Sequence, residues 1–387
     1  MSLYVRSFAK FQSQVHLWNK YLPSARPYYA VKCNPDPEVL DWVSKAGGSF
    51  DCASWSEMVL VQELVGKQCA SERILFANPC KTQQSIFYAK TLGVSCVTAD
   101  SMEELIKMDD VGYKPNILLR IAVEDKGSAC PFGAKFGLLA DEIASVAAVA
   151  KQLTMPILGL SFHVGSGSND PNAFQQAVQR SKHIWNQLQA SALVHNMEVL
   201  DIGGGWSPDE HTFKQQANSA KLGLLDLENP VQVIAEPGRF FAAPIQTLYV
   251  PVIGKKPRNG GGWRYTIDES IYGQFSCIPY DHAKPAIARL ILRDSAFSRY
   301  KTPATLFGRT CDSLDWIANS PCMEELEVGD WLCIPNMGAY TSCTSTTFNG
   351  FPKPHKITSS IIYPSESQLS WLQGLTYPLA SMLHVPT

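Results

Sequence analysis

Lys32 closes a short apolar and aromatic run, Tyr28-Tyr29-Ala30-Val31, just before the turn signal Asn34-Pro35-Asp36-Pro37. A lysine held at a strand end can be desolvated, and its amine then loses its proton more readily and can form a Schiff base with an aldehyde. Alone the octapeptide says little, because a lysine in such a place is usually a solvated charge. Three more strand ends carry reactive groups. Glu236-Pro237-Gly238-Arg239 follows the apolar run Val231-Gln232-Val233-Ile234-Ala235 and sets a carboxylate and a guanidinium on a tight turn. Leu160-Ser161-Phe162-His163-Val164-Gly165-Ser166-Gly167 offers an imidazole, a hydroxyl and two glycines. Val199-Leu200-Asp201-Ile202-Gly203-Gly204-Gly205 ends in three residues without side chains, where backbone N–H groups can approach an anion closely. Together these groups meet the needs of a phosphorylated pyridine aldehyde, pyridoxal phosphate (PLP).

The elements that must position them alternate. Short apolar runs at 28–32, 50–53, 74–77, 96–99, 117–121, 158–163, 199–203 and 231–236 predict eight strands. Between them, stretches such as 56–64, 102–108, 138–153 and 172–189 have helical spacing of apolar residues. Eight such units predict a closed (β/α)8 TIM-like barrel with its active site at the C-terminal ends of the strands. Closure makes the first and eighth strands neighbours, so Lys32 and Glu236 should meet over one face.

After about residue 244 the texture changes. Runs at 246–253, 263–267, 287–292 and 330–334 read as strands separated by Gly, Pro and Asn turns, which predicts a C-terminal all-β domain. A second Gly-Gly-Gly-Trp, at 260–263, follows the charged segment Lys255-Lys256-Pro257-Arg258 rather than an apolar strand. It reads as a hairpin tip and is given no ligand.

A chain of 387 residues that is 45% hydrophobic is long enough for one large and one smaller core. A net charge of −2 lacks the basic excess that nucleic-acid binding needs, and no apolar run approaches a membrane span. Residues 1–10 have no secretory pattern. Eleven cysteines without C-x-x-C spacing argue against zinc and against a disulfide framework, and so for a reducing cytoplasm.

In order along the chain stand PYYAVKCN, FDCAS, FANPCK, LLRIA, KFG, SFHVGSG, DIGGG, EPGRF, IYGQFSCIPYDH, TCDSLD and NMGAYT, with FNGF after it. In these motifs the sequence resembles the fold-type III, PLP-dependent basic amino-acid decarboxylases, and within them the eukaryotic-type ornithine decarboxylases. The resemblance runs from about Leu3 to Phe351. It implies that Lys32 carries PLP as a Schiff base, that Glu236 pairs with the pyridine nitrogen and that His163 stacks on the ring. Ser166, Gly203, Gly204, Gly205, Gly238, Arg239 and Tyr340 match the phosphate-binding set; Asp51, Glu57 and Arg120 fall on positions used around the cofactor.

Cys311 and Asp312 match a pair that reaches into the partner subunit's active site, so the resemblance implies a homodimer with two shared sites. There Cys311 protonates the substrate α-carbon, while Asp312 and Asp281, beside Tyr280, bind the distal cation. Tyr272 and Phe348 match residues near the site, and Lys135 and Asp315 match an ion pair across the dimer. The implied domains are a PLP-binding barrel over 8–244 and a β-domain over 245–387, with 1–7, that contributes to the partner's site. The implied activity is decarboxylation of L-ornithine to putrescine, in polyamine biosynthesis; regulation by antizyme is left open.

Two residues depart from the pattern. Arg309 stands where the family usually has proline, and adds a bulky cation beside the pocket that should bind a cation. Pro279 precedes Tyr280-Asp281 in place of an aliphatic residue and could reorient the loop carrying Asp281. The N-terminal segment before the first barrel helix is also shorter than usual. These departures keep open a specialised relative acting on lysine or an N-substituted basic amino acid. An inactive regulator of the antizyme-inhibitor kind is disfavoured, because it needs neither Lys32 nor Cys311.

Overall fold

The computed structural model describes residues 1–225, 227, 231–290 and 300–359. The chain divides into two units, Ser13–Ala242 on one side and Met1–Gln12 with Ala243–Thr387 on the other.

The eight expected strands are present in the first unit: Ala25–Ala30, Ser49–Cys52, Ile74–Phe76, Cys96–Ala99, Asn116–Arg120, Ile157–Ser161, Val199–Asp201 and Gln232–Ala235. They close into a parallel barrel, the eighth pairing with the first in the register Val233 to Ala25 through Ala235 to Pro27. Phe50, Leu118, Leu160 and Leu200 are fully buried, as strands covered on both faces require, which is why the runs read as continuously apolar rather than alternating.

Two boundaries differ from expectation in ways that matter for chemistry. The first strand ends at Ala30, not Lys32, and Val31–Cys33 form a single 3₁₀ turn. The Ala30 N–H donates to the Pro237 carbonyl at 3.3 Å, so the first strand's end is tied to the loop that follows the eighth. The helix expected over 138–153 begins only at Ile143 and ends at Gln152. Leu138 is used instead as an extension of the sheet: its N–H donates to the Arg120 carbonyl at 2.8 Å and it bridges to Ile121. The other helices match closely: Trp55–Val65, Met102–Asp110 and Ala173–Ala190. Ser54 and Ser101 cap the first two by accepting N–H groups three residues on, from Glu57 and Glu104.

In the second unit a long strand, Gln246–Pro257, pairs antiparallel with Leu3–Ser7, Trp263–Ile267 and Trp331–Ile334. It runs four residues further than the sequence pattern, so Lys255, Lys256 and Pro257 belong to the strand and only 258–262 form the tip, closed by Arg258 N–H to Gly262 O at 3.0 Å. The run at 287–292 contracts to Ala288–Arg289, and residues 291 and 292 lie outside the described set. Strands at Lys301–Phe307 and Trp316–Glu324 had no clear pattern. Pro303 and Pro321 interrupt them, and register shifts break their alternation. Tyr4, Leu248, Val250, Tyr265, Ile267, Phe275, Leu332 and Ile334 form this unit's core.

Candidate active site

At the C-terminal end of the barrel's first strand, Lys32 Nζ lies 2.8 Å from Asp51 Oδ2 at the end of the neighbouring second strand. Asp51 is 1% exposed while the Lys32 side chain is 47% exposed. The Lys32 ammonium is thus held by a buried carboxylate, whose other oxygen has no hydrogen-bond partner. Glu57 lies nearby in the first turn of its helix, where its Oε2 accepts the Ala53 N–H at 2.6 Å; burial raises its pKa.

His163 follows the sixth strand. The Gly165 N–H donates to its Nδ1 at 3.0 Å, which places the proton of the neutral ring on Nε2. Burial pushes its pKa well below 6.5, and the cations of Arg120 and Lys32 push the same way, so the ring is neutral at physiological pH. Phe132 meets it edge-on, with centroids 4.8 Å apart at 75°. Arg120, at the end of the fifth strand, has its guanidinium 4.9 Å from the Phe136 ring centroid.

The glycine run after the seventh strand packs against that histidine. A Cβ on Gly203 would stand 2.0 Å from the Phe162 carbonyl, and one on Gly205 2.5 Å from the Gly165 carbonyl; both glycines have positive φ, 63° and 98°. Trp206 pins the turn: it is buried, stacks on Phe174 at 3.9 Å and donates its indole N–H to the Gly203 carbonyl at 2.9 Å. In the hairpin copy of the motif a Cβ on Gly260 or Gly261 would meet nothing within 4 Å, and Gly262 is approached by the Pro303 carbonyl, at 1.9 Å, rather than by residues of the barrel rim. Context, not the glycine count, separates the two.

Glu236 follows the eighth strand, and its N–H donates to the Gly203 carbonyl at 2.8 Å. Burial raises its pKa to about 7; the Asp51 carboxylate adds to the rise, while Lys32, Arg120 and a hydrogen bond with Asp201 oppose it. Asp201 is fully buried and its pKa is pushed up too, by burial and by Glu236. Three carboxyl groups thus meet one ammonium and one guanidinium. On the same rim Arg239 donates to Ser166 Oγ at 2.9 Å, and a Cβ on Gly238 would press on Cys33 Cβ at 2.9 Å.

These residues fit PLP: an amine for the aldehyde, a carboxyl able to share a proton with a pyridine nitrogen, a neutral aromatic ring, and a rim of glycine N–H groups, hydroxyl and guanidinium suited to a phosphate dianion. The unpartnered Asp51 oxygen and the chemistry of this donor set carry the fit.

The second unit gathers its own group. The Tyr272 hydroxyl donates to Asp312, and the Tyr272 ring packs on Phe348 with centroids 4.5 Å apart. Asp312 also accepts the Leu314 N–H at 2.9 Å; this bond first, then Tyr272, lowers its pKa. Cys311 is exposed, with its N–H donating to Asn349 Oδ1 at 3.0 Å. Tyr280 is 69% exposed and Asp281 ends the short helical turn Cys277–Asp281, which also contains Pro279 and stops at a left-handed His282, φ 53°. Tyr340 has φ 53°, and its carbonyl accepts the Thr344 hydroxyl at 3.0 Å. Asp315 is 1% exposed and spends its carboxylate within its own chain, on Ile271 N–H and on the N–H and hydroxyl of Thr310. Lys135 is exposed, its ammonium 4.9 Å from the Phe136 ring centroid.

Arg309 does not offer its charge as the sequence reading expected. Its side chain is 6% exposed and pairs with Asp268 at 2.9 Å. Asp201, Phe132 and Asn349 were not singled out from the sequence. Only Asp201 had a signal there, as a carboxylate just before a glycine run.

Residues 8–243 match the family described as "Pyridoxal-dependent decarboxylase, pyridoxal binding domain". The chain is 39% identical to the chloroplastic ornithine decarboxylase of Nicotiana glauca over 372 residues, 94% of this chain and 84% of that protein. It is 39% identical to the ornithine decarboxylase of Schizosaccharomyces pombe over 359 residues, 90% of this chain and 80% of that one. Among solved structures, the arginine decarboxylase of Paramecium bursaria Chlorella virus, bound to agmatine, superposes with a TM-score of 0.86 at 36% identity, covering 92% of this chain and 97% of the other.

Proposed function

The chain belongs to the pyridoxal-dependent decarboxylases, and from that premise we propose that it decarboxylates L-ornithine to putrescine, a step of polyamine biosynthesis, with PLP as cofactor. The observation that carries the reading is the convergence of Lys32, His163 and Glu236 on one barrel rim, in a chain that aligns with ornithine decarboxylases over most of its length. PLP, when bound, supplies an electron sink for the pair released at the substrate α-carbon as carbon dioxide leaves.

The protein's residues do the rest. Lys32 holds the cofactor through Nζ, and Asp51 fixes where that amine sits. Glu236, with a pKa near 7, keeps a proton at hand for the pyridine nitrogen. His163 offers a neutral aromatic face. Ser166, Arg239, Tyr340 and the N–H groups of Gly203, Gly204, Gly205 and Gly238 take the phosphate, with Arg120 adding positive charge at the rim. Cys311 gives its Sγ proton to the α-carbon. A buried, unpaired ammonium costs several kcal/mol, so a carboxylate must meet the substrate's distal cation; Asp312, braced by Tyr272 and Phe348, and Asp281, beside Tyr280, fill that role.

The same reading makes the protein a homodimer in which Cys311 and Asp312 serve the partner's barrel, with antizyme as regulator and the cytoplasm as place of action. Among the described residues no helix is long and apolar enough to cross a membrane. The test is a panel of ornithine, lysine, arginine and N-substituted ornithines, scored by carbon dioxide and amine product, with borohydride reduction to locate the cofactor. Ornithine should lead and the reduced cofactor should sit on Lys32. Turnover of an N-substituted substrate alone would move the protein into specialised metabolism, and no adduct on Lys32 would end the enzyme reading.

A further inference from the structure

The loop 308–315 carries Cys311 and Asp312 but is short of regular structure, so something must hold it in place. One anchor is Asp315: Gly308 N–H donates to its carbonyl at 2.8 Å, and its carboxylate binds Thr310 within the loop and the Ile271 N–H outside it. A side chain at 308 has no room, since a Cβ there would stand 2.1 Å from Asp315 Oδ1. The second anchor is Arg309. Its N–H donates to the Glu269 carbonyl at 3.0 Å. Its guanidinium donates to Asp268 Oδ1 at 2.9 Å and to the Pro352 carbonyl at 3.0 Å, lies 3.9 Å from Glu269 Oε1 and sits 4.5 Å from the Phe351 ring centroid.

Both ends of that clamp lead to the reactive pair. Asp268 and Glu269 begin the segment that continues to Tyr272, whose hydroxyl binds Asp312. Phe351 and Pro352 follow Asn349, whose side chain binds the Cys311 N–H. Arg309 therefore joins the two segments that hold Cys311 and Asp312, and a planar fork does this where a lysine's point charge would reach one partner at a time.

We propose that Arg309 is a positioning residue that clamps loop 308–315 between the 268–272 and 349–352 segments, and so sets where the Cys311 thiol stands. The inference rests on the proton-donor role given to Cys311 above. Its test is a double-mutant cycle in the PLP-loaded enzyme with ornithine: wild type, Arg309→Met, Cys311→Ala and the double variant. Arg309→Met should lower kcat about tenfold or more, because small misplacements of a reacting group are costly. It should leave the PLP absorbance per subunit unchanged, since the lysine and its neighbours lie on the barrel. In the Cys311→Ala background the same change should cost less than about twofold, because the group it positions is already gone. Arg309→Lys should fall between, and it takes the place of Arg309→Met in the cycle if that variant does not fold. Equal losses in both backgrounds, or none in either, would overturn the inference. A Cys311→Ala enzyme as fast as wild type would instead strike the role of Cys311 and take the inference with it.

Discussion

The ring of His163 occupies the space that a side chain on Gly204 would need: a Cβ there would stand 2.6 Å from Nε2, with the Glu236 carbonyl 2.9 Å away on the other side. The glycine is thus required by a contact between two barrel strands' ends, independently of any phosphate.

Gly204→Ala should consequently push the imidazole off its seat, with little relief available because Gly165 N–H and Phe132 hold it from behind. The expected outcome is an affinity for PLP reduced about tenfold or more, read by titrating the apoprotein with cofactor, and a folded barrel by circular dichroism. A variant that binds PLP as tightly as wild type would show that His163 can move without loss.

Glu236 makes a prediction about pH. Its pKa is raised from the ordinary 4.5 to about 7, so between those values the folded apoprotein keeps a proton that the unfolded chain has released. Stability from this group is whole below about pH 4.5 and falls as pH rises through 7. Apo Glu236→Gln escapes that loss. Its melting temperature relative to wild type should therefore climb across the window and level off above it. Glu269, also raised to about 7, is present in both proteins and cancels in the difference; Asp201, which Glu236 helps to push up, is relieved in the variant and moves the difference the same way. A flat difference from pH 4.5 to 8 would refute the buried-carboxylate account.

Arg309→Pro restores the residue the family usually carries and removes the cation that the sequence set beside the substrate pocket. The structure gives that exchange a cost in stability. Proline cannot supply the N–H that Glu269 O accepts at 3.0 Å, and it strips the cation from a Glu269 side chain that is 0% exposed. Removing one partner of a buried pair costs about 3 kcal/mol or more. Urea unfolding of the two proteins checks this; equal stability would mean that the cluster around Arg309 contributes nothing.

What the sequence disclosed and what it hid follow from distance along the chain. The eight barrel strands were legible because burial on both faces writes itself as a local apolar run, and Lys32, His163, the glycine run and Glu236 were legible as residues that end such runs. The direction of Arg309 was not, since its partner Asp268 lies 41 residues away and no local pattern encodes that pairing. Nor was the pairing of Lys32 with Asp51, 19 residues away on the neighbouring strand. The strands with Pro303 and Pro321 were hidden because proline argues locally against a strand that the sheet nevertheless accommodates through bulges.

The last prediction concerns assembly. Lys32 lies in the turn after a strand of the barrel unit, whereas Cys311 stands exposed on a loop of the other unit. If each dimer builds two sites, each from one barrel and the partner's loop, then a subunit carrying Lys32→Ala and one carrying Cys311→Ala are defective in complementary halves. Their heterodimer concentrates both lesions in one site and leaves the second intact. At equal amounts and random exchange about half the dimers are mixed, so about a quarter of wild-type activity should return from two nearly inactive parents. Mixing should leave the parents' activities merely averaged if each subunit completes its own site. That outcome, with exchange verified by tagged subunits, would place Cys311 in its own chain's chemistry and dismiss the shared-site dimer.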